Sequence, residues 1–243
     1  MTNRISMFLL GATLALGFTM AAYLLSGAIR SFKDESGIKV KGYAETVVKA
    51  DAARWRLVVT DRSKDLKDCY DKLAKDTAVV RAKLVEYGFT EAETNFFAAH
   101  VDEEVRLTEK DKRTNDIEFY RLTQIIEVTT GKPDAIDKAS KKITEVLAQG
   151  VNIASEQPQF TFTKLEGLKL ELLGAASKNA YERAQVIASK AGGRIGRLRS
   201  ASQGVFQIVP VGSTETSDYG AYDTSTIDKT VKAVVTIDFM LEK

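Results

Sequence analysis

Cysteine is nearly absent from this sequence: among 243 residues only Cys69 carries a thiol. No intramolecular disulfide can form, so a fold stapled by cross-links is excluded. Histidine is as scarce, with His100 alone, and no Cys/His pair stands at a zinc-ligand spacing. Proline occurs three times, at Pro133, Pro158 and Pro210, each near an inferred element boundary. A surplus of one charge is also missing. Lys and Arg number 35, Asp and Glu 33, and a net charge of +2 leaves no electrostatic footprint for nucleic acid. What is present is a globular composition, 44% hydrophobic and 28% charged.

One long hydrophobic run stands apart. Ile5 to Ile29 contains no charge and is bracketed by Arg4 and Arg30. As a helix its 25 residues would span about 37 Å, enough for a tilted bilayer crossing. Residues 1–30 are therefore read as a signal-anchor or transmembrane helix, and 31–37 as a short polar linker. Ser26-Gly27-Ala28 offers a small-x-small cleavage site, so a cleaved signal is the second reading; length favours retention. Arg30, Lys33, Lys39 and Lys41 follow the run and only Arg4 precedes it. Taken literally that count favours a cytoplasmic body, but large downstream domains often translocate regardless of nearby charge.

Beyond the linker, period-two and period-3.6 patterns alternate. Ile38–Thr46 reads as a strand, followed by one that places Ala53, Trp55, Leu57 and Val59 on one face and Arg54 and Arg56 on the other. Asp65 is positioned to cap a helix with Leu66, Tyr70, Leu73, Thr77, Val80 and Leu84 inward, ended by Gly88. Thr94–Thr108 and Ile117–Thr130 read as two long strands joined by a charged tip. Pro133 opens a helix lined by Ile136, Ala139, Ile143 and Leu147. A short strand at 157–164 precedes a long helix, Glu166 to Ala191, with the stripe Leu173, Ala176, Ala180, Ala184, Ile187 and Ala191. Gly192-Gly193 stops it. Strand 194–209, a loop, and strand 230–241 complete the chain. The expected fold is α+β: two βαββ-type halves with antiparallel sheets packed by helices.

Several of these stretches together resemble one family. "VKGYAETVVKADAARWRLVV", with Gly42, Glu45, Asp51 and Ala53, is similar to the opening of SIMPL-domain (DUF541) proteins. "NAYERAQVIASKAGGRIGRLRS" resembles the family's alanine-rich helix and following Gly-x-x-x-Gly, through Ala180, Ala184, Ala188, Gly192 and Gly196. "YRLTQIIEVTT" resembles its central strand. The resemblance covers residues 38–243, departing at Ala50, where many members have proline. It implies a bacterial periplasmic or envelope protein with no established enzymatic activity. It favours an inner-membrane anchor with the body in the periplasm, or a soluble periplasmic protein if the signal is cleaved. It also makes ring-like or other homo-oligomeric assembly an expectation.

The chemistry-bearing residues are sparse. A solvated strand position accounts for His100, and a packed thiol for Cys69. The glycines of "GGRIGRLRS" end a helix instead of starting one, so they offer no anion site, and Arg194, Arg197 and Arg199 form a solvated or interface face. Asp102, Glu103 and Glu104 are adjacent acids on a strand. The stretch from Pro210 to Thr226 is long for an irregular connection, and such loops tend to carry function. Asp218 and Asp223 lack the tight oxygen spacing of a calcium loop. Tyr219 and Tyr222, turned about Gly220, are residues that interfaces favour. Asp218, Tyr219, Gly220, Tyr222 and Asp223 are thus the candidate partner-contact residues. No catalytic, cofactor or metal residue is assigned. The expected function is that of a non-enzymatic structural or scaffolding homo-oligomer of the cell envelope. The alternative is a binding module for a small envelope ligand or a cell-wall or lipid component, and an enzyme using the scattered acids ranks third.

Overall fold

The computed structural model of the chain describes residues 11, 13–23, 37–107 and 113–242. Its strands are β1 (Gly37–Lys49), β2 (Ala52–Ser63), β3 (Thr94–Phe96), β4 (His100–Leu107), β5 (Arg113–Thr130), β6 (Ile153–Ser155), β7 (Gln159–Thr161), β8 (Arg194–Gln203), β9 (Gln207–Pro210), β10 (Ala221–Tyr222) and β11 (Asp228–Glu242). The helices are α1 (Leu66–Glu86), α2 (Pro133–Lys142) and α3 (Leu165–Lys190). A six-stranded sheet runs β3-β5-β2-β6, with β4 also on β5 and β7 also on β2. A five-stranded sheet runs β1-β11-β9-β10, with β8 also on β11. The β9–β10 pair is parallel, and the other registered pairs are antiparallel. The fold is α+β, as expected.

Contacts divide the described chain into two compact units, each assembled from separated stretches. One joins Glu45–Leu170 to Val205–Lys232, and the other joins residues up to Ala44 to Glu171–Gly204 and the stretch from Ala233 onward. The first owes its core to the alternation of β2. Ala53, Trp55, Leu57 and Val59 are buried, while Arg54 and Arg56 face solvent. Trp55 is fully enclosed, and its indole Nε1 donates to Ser155 Oγ at 3.0 Å, so its one polar atom stays satisfied. Ile126 and Val128 of β5 join it from one side, and Ile136 and Val80 from the helices that cover this face.

The Asp65 cap forms: its Oδ1 accepts from the Asp68 amide at 3.0 Å. Gly88, at φ 87°, ends α1 in the left-handed region that glycine adopts without strain. The inward stripe of α1 differs from expectation in its first turn. Cys69 is buried there, with Leu73, Thr77, Val80 and Leu84 continuing the stripe, while Leu66 and Tyr70 are exposed. A second correction concerns Leu147. After Lys142 the helix tightens into a 3-10 turn at Ile143–Gln149, whose three-residue period buries Val146 next to Ile143 and leaves Leu147 exposed.

The long strand expected at Thr94–Thr108 is interrupted. β3 and β4 both pair with β5, but Thr94 faces Val128 and His100 faces Thr123, a one-residue shift. Gln124 reaches into the break. Its Nε2 donates to Phe97 O at 2.9 Å and its Oε1 accepts from Thr77 Oγ1 at 2.8 Å. The strand expected at 194–209 is broken likewise between β8 and β9, where the Gly204 amide bonds to Val234 O at 2.9 Å.

The second unit is built on a close approach. The buried stripe of α3 is Leu172, Ala176, Ala180, Ala184 and Ala188; Leu173 is half-buried, and Ile187 and Ala191 are exposed, against expectation. Methyl-sized side chains let β1 lie almost on the helix backbone. A Cβ at Gly42 would stand 2.0 Å from Ala176 O and 2.7 Å from the Ala180 Cβ. Tyr181 packs edge-on against Phe239 with ring centroids 5.8 Å apart. At the edge of the sheet, α3 also caps the strand. The Tyr43 amide donates to Asn179 Oδ1 at 3.1 Å, and Arg183 Nη1 donates to Lys41 O at 3.1 Å. These bonds occupy groups that an open edge would offer to another strand.

Among the described residues no helix is long and apolar enough to cross a membrane. Residues 13–23 are helical and exposed, and most of the rest of the apolar run lies outside the described residues.

Gly42→Ala should destabilise the protein by more than about 3 kcal/mol, because the methyl meets a backbone carbonyl that cannot yield without moving α3. Gly131→Ala, whose Cβ would meet nothing nearer than 3.7 Å, is the control. Urea unfolding of the two variants checks this; a loss for Gly42→Ala as small as for the control would contradict the packing.

Candidate contact loop

The connection from Pro210 to Asp228 is long and mostly irregular, yet it is fastened at many points. Gln207, buried at the start of β9, holds it with both ends of its amide: Nε2 donates to Ser217 O at 2.6 Å, and Oε1 accepts from the Ser217 amide at 3.3 Å. Gly220 turns the chain at φ 87°, with its amide on Ser217 O at 3.1 Å. A Cβ there would also stand 3.1 Å from Phe206 O, so both conformation and space call for glycine. Ala221 and Tyr222 then pair in parallel with Gln207 and Ile208 as β10.

Asp223 is the hub. Its Oδ1 accepts from the Ser225 amide at 2.8 Å and the Ser225 hydroxyl at 2.6 Å, and its Oδ2 accepts from the Thr226 hydroxyl. The same Oδ2 lies 3.0 Å from Lys229 Nζ. Lys229 has no exposed surface, and its ammonium also donates to Thr226 O at 2.5 Å. Burial alone would raise the Asp223 pKa. The Ser225 and Thr226 hydrogen bonds and the Lys229 ammonium outweigh it and hold the carboxyl well below the usual carboxylate range. Backbone bonds tie the far side of the loop. Asp223 N donates to Ile208 O at 2.8 Å, Phe160 N to Thr224 O at 2.7 Å, and Ala50 N to Ile227 O at 2.8 Å. The last bond gives Ala50 a role that a proline, lacking the N–H, would forfeit.

Of the five candidate contact residues, the loop presents three outward. Tyr219 is 97% exposed, Tyr222 is 51% exposed, and Asp218 is exposed. Gly220 and Asp223 instead shape the loop from within. Sequence reasoning missed Lys229 and Gln207. For Lys229 a signal existed: the inward positions of β11 are Val231, Ala233, Val235, Ile237 and Phe239, and 229 continues that parity.

The other chemistry-bearing residues stay dispersed. His100 is exposed, with Nε2 at 3.2 Å from Asp102 Oδ1. Cys69 is buried and donates to Tyr120 O at 3.5 Å. Glu104 lies between Arg62 and Arg121. Arg197 Nε contacts Met240 Sδ at 3.0 Å. A hollow of about 310 Å³ on the outer face of the six-stranded sheet is lined by Arg54, Arg56, Phe97, Glu127, Glu156 and Gln159. Each of its carboxylates faces an arginine, Arg56 to Glu156 at 3.5 Å and Arg54 to Glu127 at 4.0 Å. Among the described residues no three of His, Cys, Asp and Glu gather where they would hold a metal ion.

Two mixed α/β units, their loops fastened by hydrogen bonds and ion pairs, define the class: an α+β protein with two antiparallel-rich sheets. The chain belongs to the SIMPL family, described as protein of unknown function (DUF541), which matches residues 38–239. No curated protein matches the chain. Among solved structures it is similar to the ligand-free regulatory subunit of aspartate kinase from Thermus thermophilus. The identity is 14% over 81% of this chain and 86% of that one, and the TM-score of 0.23 is too low to bear on fold or function.

Asp223→Asn should cost about 3–5 kcal/mol by leaving the Lys229 ammonium buried without its countercharge, and adding Lys229→Met should recover part of the loss. The pH dependence has a definite sign. Asp223 has a folded pKa below its unfolded value near 3.9, so its contribution is complete above that value. It is lost as pH falls through the depressed folded pKa. The gap in melting temperature between wild type and Asp223→Asn should hold from pH 7 to about 5 and shrink below about 4. A gap that is constant down to pH 2 would contradict the pairing.

Proposed function

We propose that this protein is a non-enzymatic component of the bacterial cell envelope, anchored in the inner membrane by residues 1–30 with its SIMPL domain in the periplasm. There it serves as a structural or scaffolding homo-oligomer. The observation that carries the oligomer reading is Tyr219: a large amphipathic ring, almost wholly exposed, on a loop held by Gln207 and the Asp223–Lys229 pair. Ordering a loop costs conformational entropy, and a loop already ordered in the free chain has met that cost before a partner arrives. Exposed aromatic anchors on such loops are what interfaces use. The uncharged run Ile5–Ile29 supports the anchor, and family membership is compatible with the envelope setting.

The full chain purified in detergent should sediment as an oligomer. Tyr219→Ala with Tyr222→Ala should shift it toward smaller species without altering its melting temperature. A wild-type chain that is strictly monomeric at micromolar concentration would overturn the oligomer, and an unchanged size in the double variant would remove the loop from the interface.

A further inference from the structure

In the unit that contains Gly42, β1 and α3 flank a shallow, open groove of about 560 Å³. Val40 lines it along with Val186 and Ile187 of α3, the last two 60% and 50% exposed, so the groove presents adjacent aliphatic surface to solvent. Lys39, Lys41 and Arg183 stand around these residues, with Glu182 as the one carboxylate in the lining. Arg183 is held in place by its bond to Lys41 O at 3.1 Å, so its guanidinium is fixed while part of its donor fork stays available. Aliphatic side chains between cations match an anionic lipid surface, where phosphates meet the basic groups and the upper acyl region meets the apolar ones.

The chain supplies a second, independent argument. Lys39 stands ten residues after Ile29, the last residue of the uncharged run. Ten residues reach at most about 35 Å when fully extended. If that run sits in a bilayer, the groove can never be far from the headgroups.

We infer that this groove docks onto the anionic phospholipid headgroups of the membrane that holds the anchor. The inference rests on the membrane-anchored reading and not on the oligomeric one. Its occupant is the bilayer surface itself, which holds the domain in one orientation by contacts on β1 and α3. Each cation near an anionic surface is worth about a fivefold shift in such a docking equilibrium, so charge reversal at two of them should abolish it.

The test uses the full chain in nanodiscs of phosphatidylcholine alone or with phosphatidylglycerol, followed by hydrogen exchange. Incorporation into both, with exchange around residues 39–43 and 179–187 slower by about fivefold in the anionic discs, is the expected result. The slowing should vanish in Lys39→Glu with Lys41→Glu, whose incorporation and melting temperature are unchanged. Incorporation into both discs with equal exchange overturns the docking and leaves the anchor standing. Failure to incorporate into either overturns both. Equal protection by inorganic phosphate in neutral discs, or protection that follows protein density instead of lipid charge, also overturns it by showing an ion site or a contact between copies.

Discussion

The buried ammonium of Lys229 imposes the strictest demand in its unit. A charge with no exposed surface must find an opposite charge and hydrogen-bond acceptors, or give up its proton. The chain meets that demand locally, with Asp223 six residues earlier and Thr226 three residues earlier. Meeting it bends the connection into a closed shape. Once Asp223 is fixed, β10 lies beside β9 and Tyr219 is held at an exposed turn. The same pair explains how a loop of this length remains ordered with so little regular structure.

In the other unit the governing constraint is steric. Alanine methyls along α3 and the missing side chain at Gly42 let strand and helix come together at backbone distance. That closeness brings Asn179 and Arg183 within reach of the strand's own amide and carbonyl groups. A larger residue in the stripe would separate the two elements and open the strand edge. Both units show specificity secured by small things: one countercharge in the first, one absent Cβ in the second.

Much of this was legible beforehand, because period-two and period-3.6 patterns report burial directly. The inward face of β2, the Asp65 cap and the stops at Gly88 and Gly192 all stand where the residues place them. The errors have physical causes. Leu147 lost its place to Val146 because a helix changed period, and Ile187 lost its place to Ala188 because close packing selected the small residue over the greasy one. The breaks after Phe96 and Gln203 were invisible because a one-residue bulge leaves hydrophobic alternation almost unmarked on either side. In the loop, composition identified the tyrosines but not the lysine that orders them. A lysine in a strand reads as solvent-facing unless its parity with the buried positions is weighed more heavily than its charge.

The chain passes between its two units four times, at Ala44–Glu45, Leu170–Glu171, Gly204–Val205 and Lys232–Ala233. Three of those passages fall inside β1, α3 and β11, not in linkers. Neither unit is therefore a contiguous gene segment that recombination could move or a protease could release with one cut. The last strand belongs to both. Until its residues leave the ribosome, β8 and β9 have no β11 to pair with, and neither unit is complete. The pairing of β8 and β9 therefore waits for Asp228–Glu242, and a premature stop before Asp228 would leave both units without their shared strand.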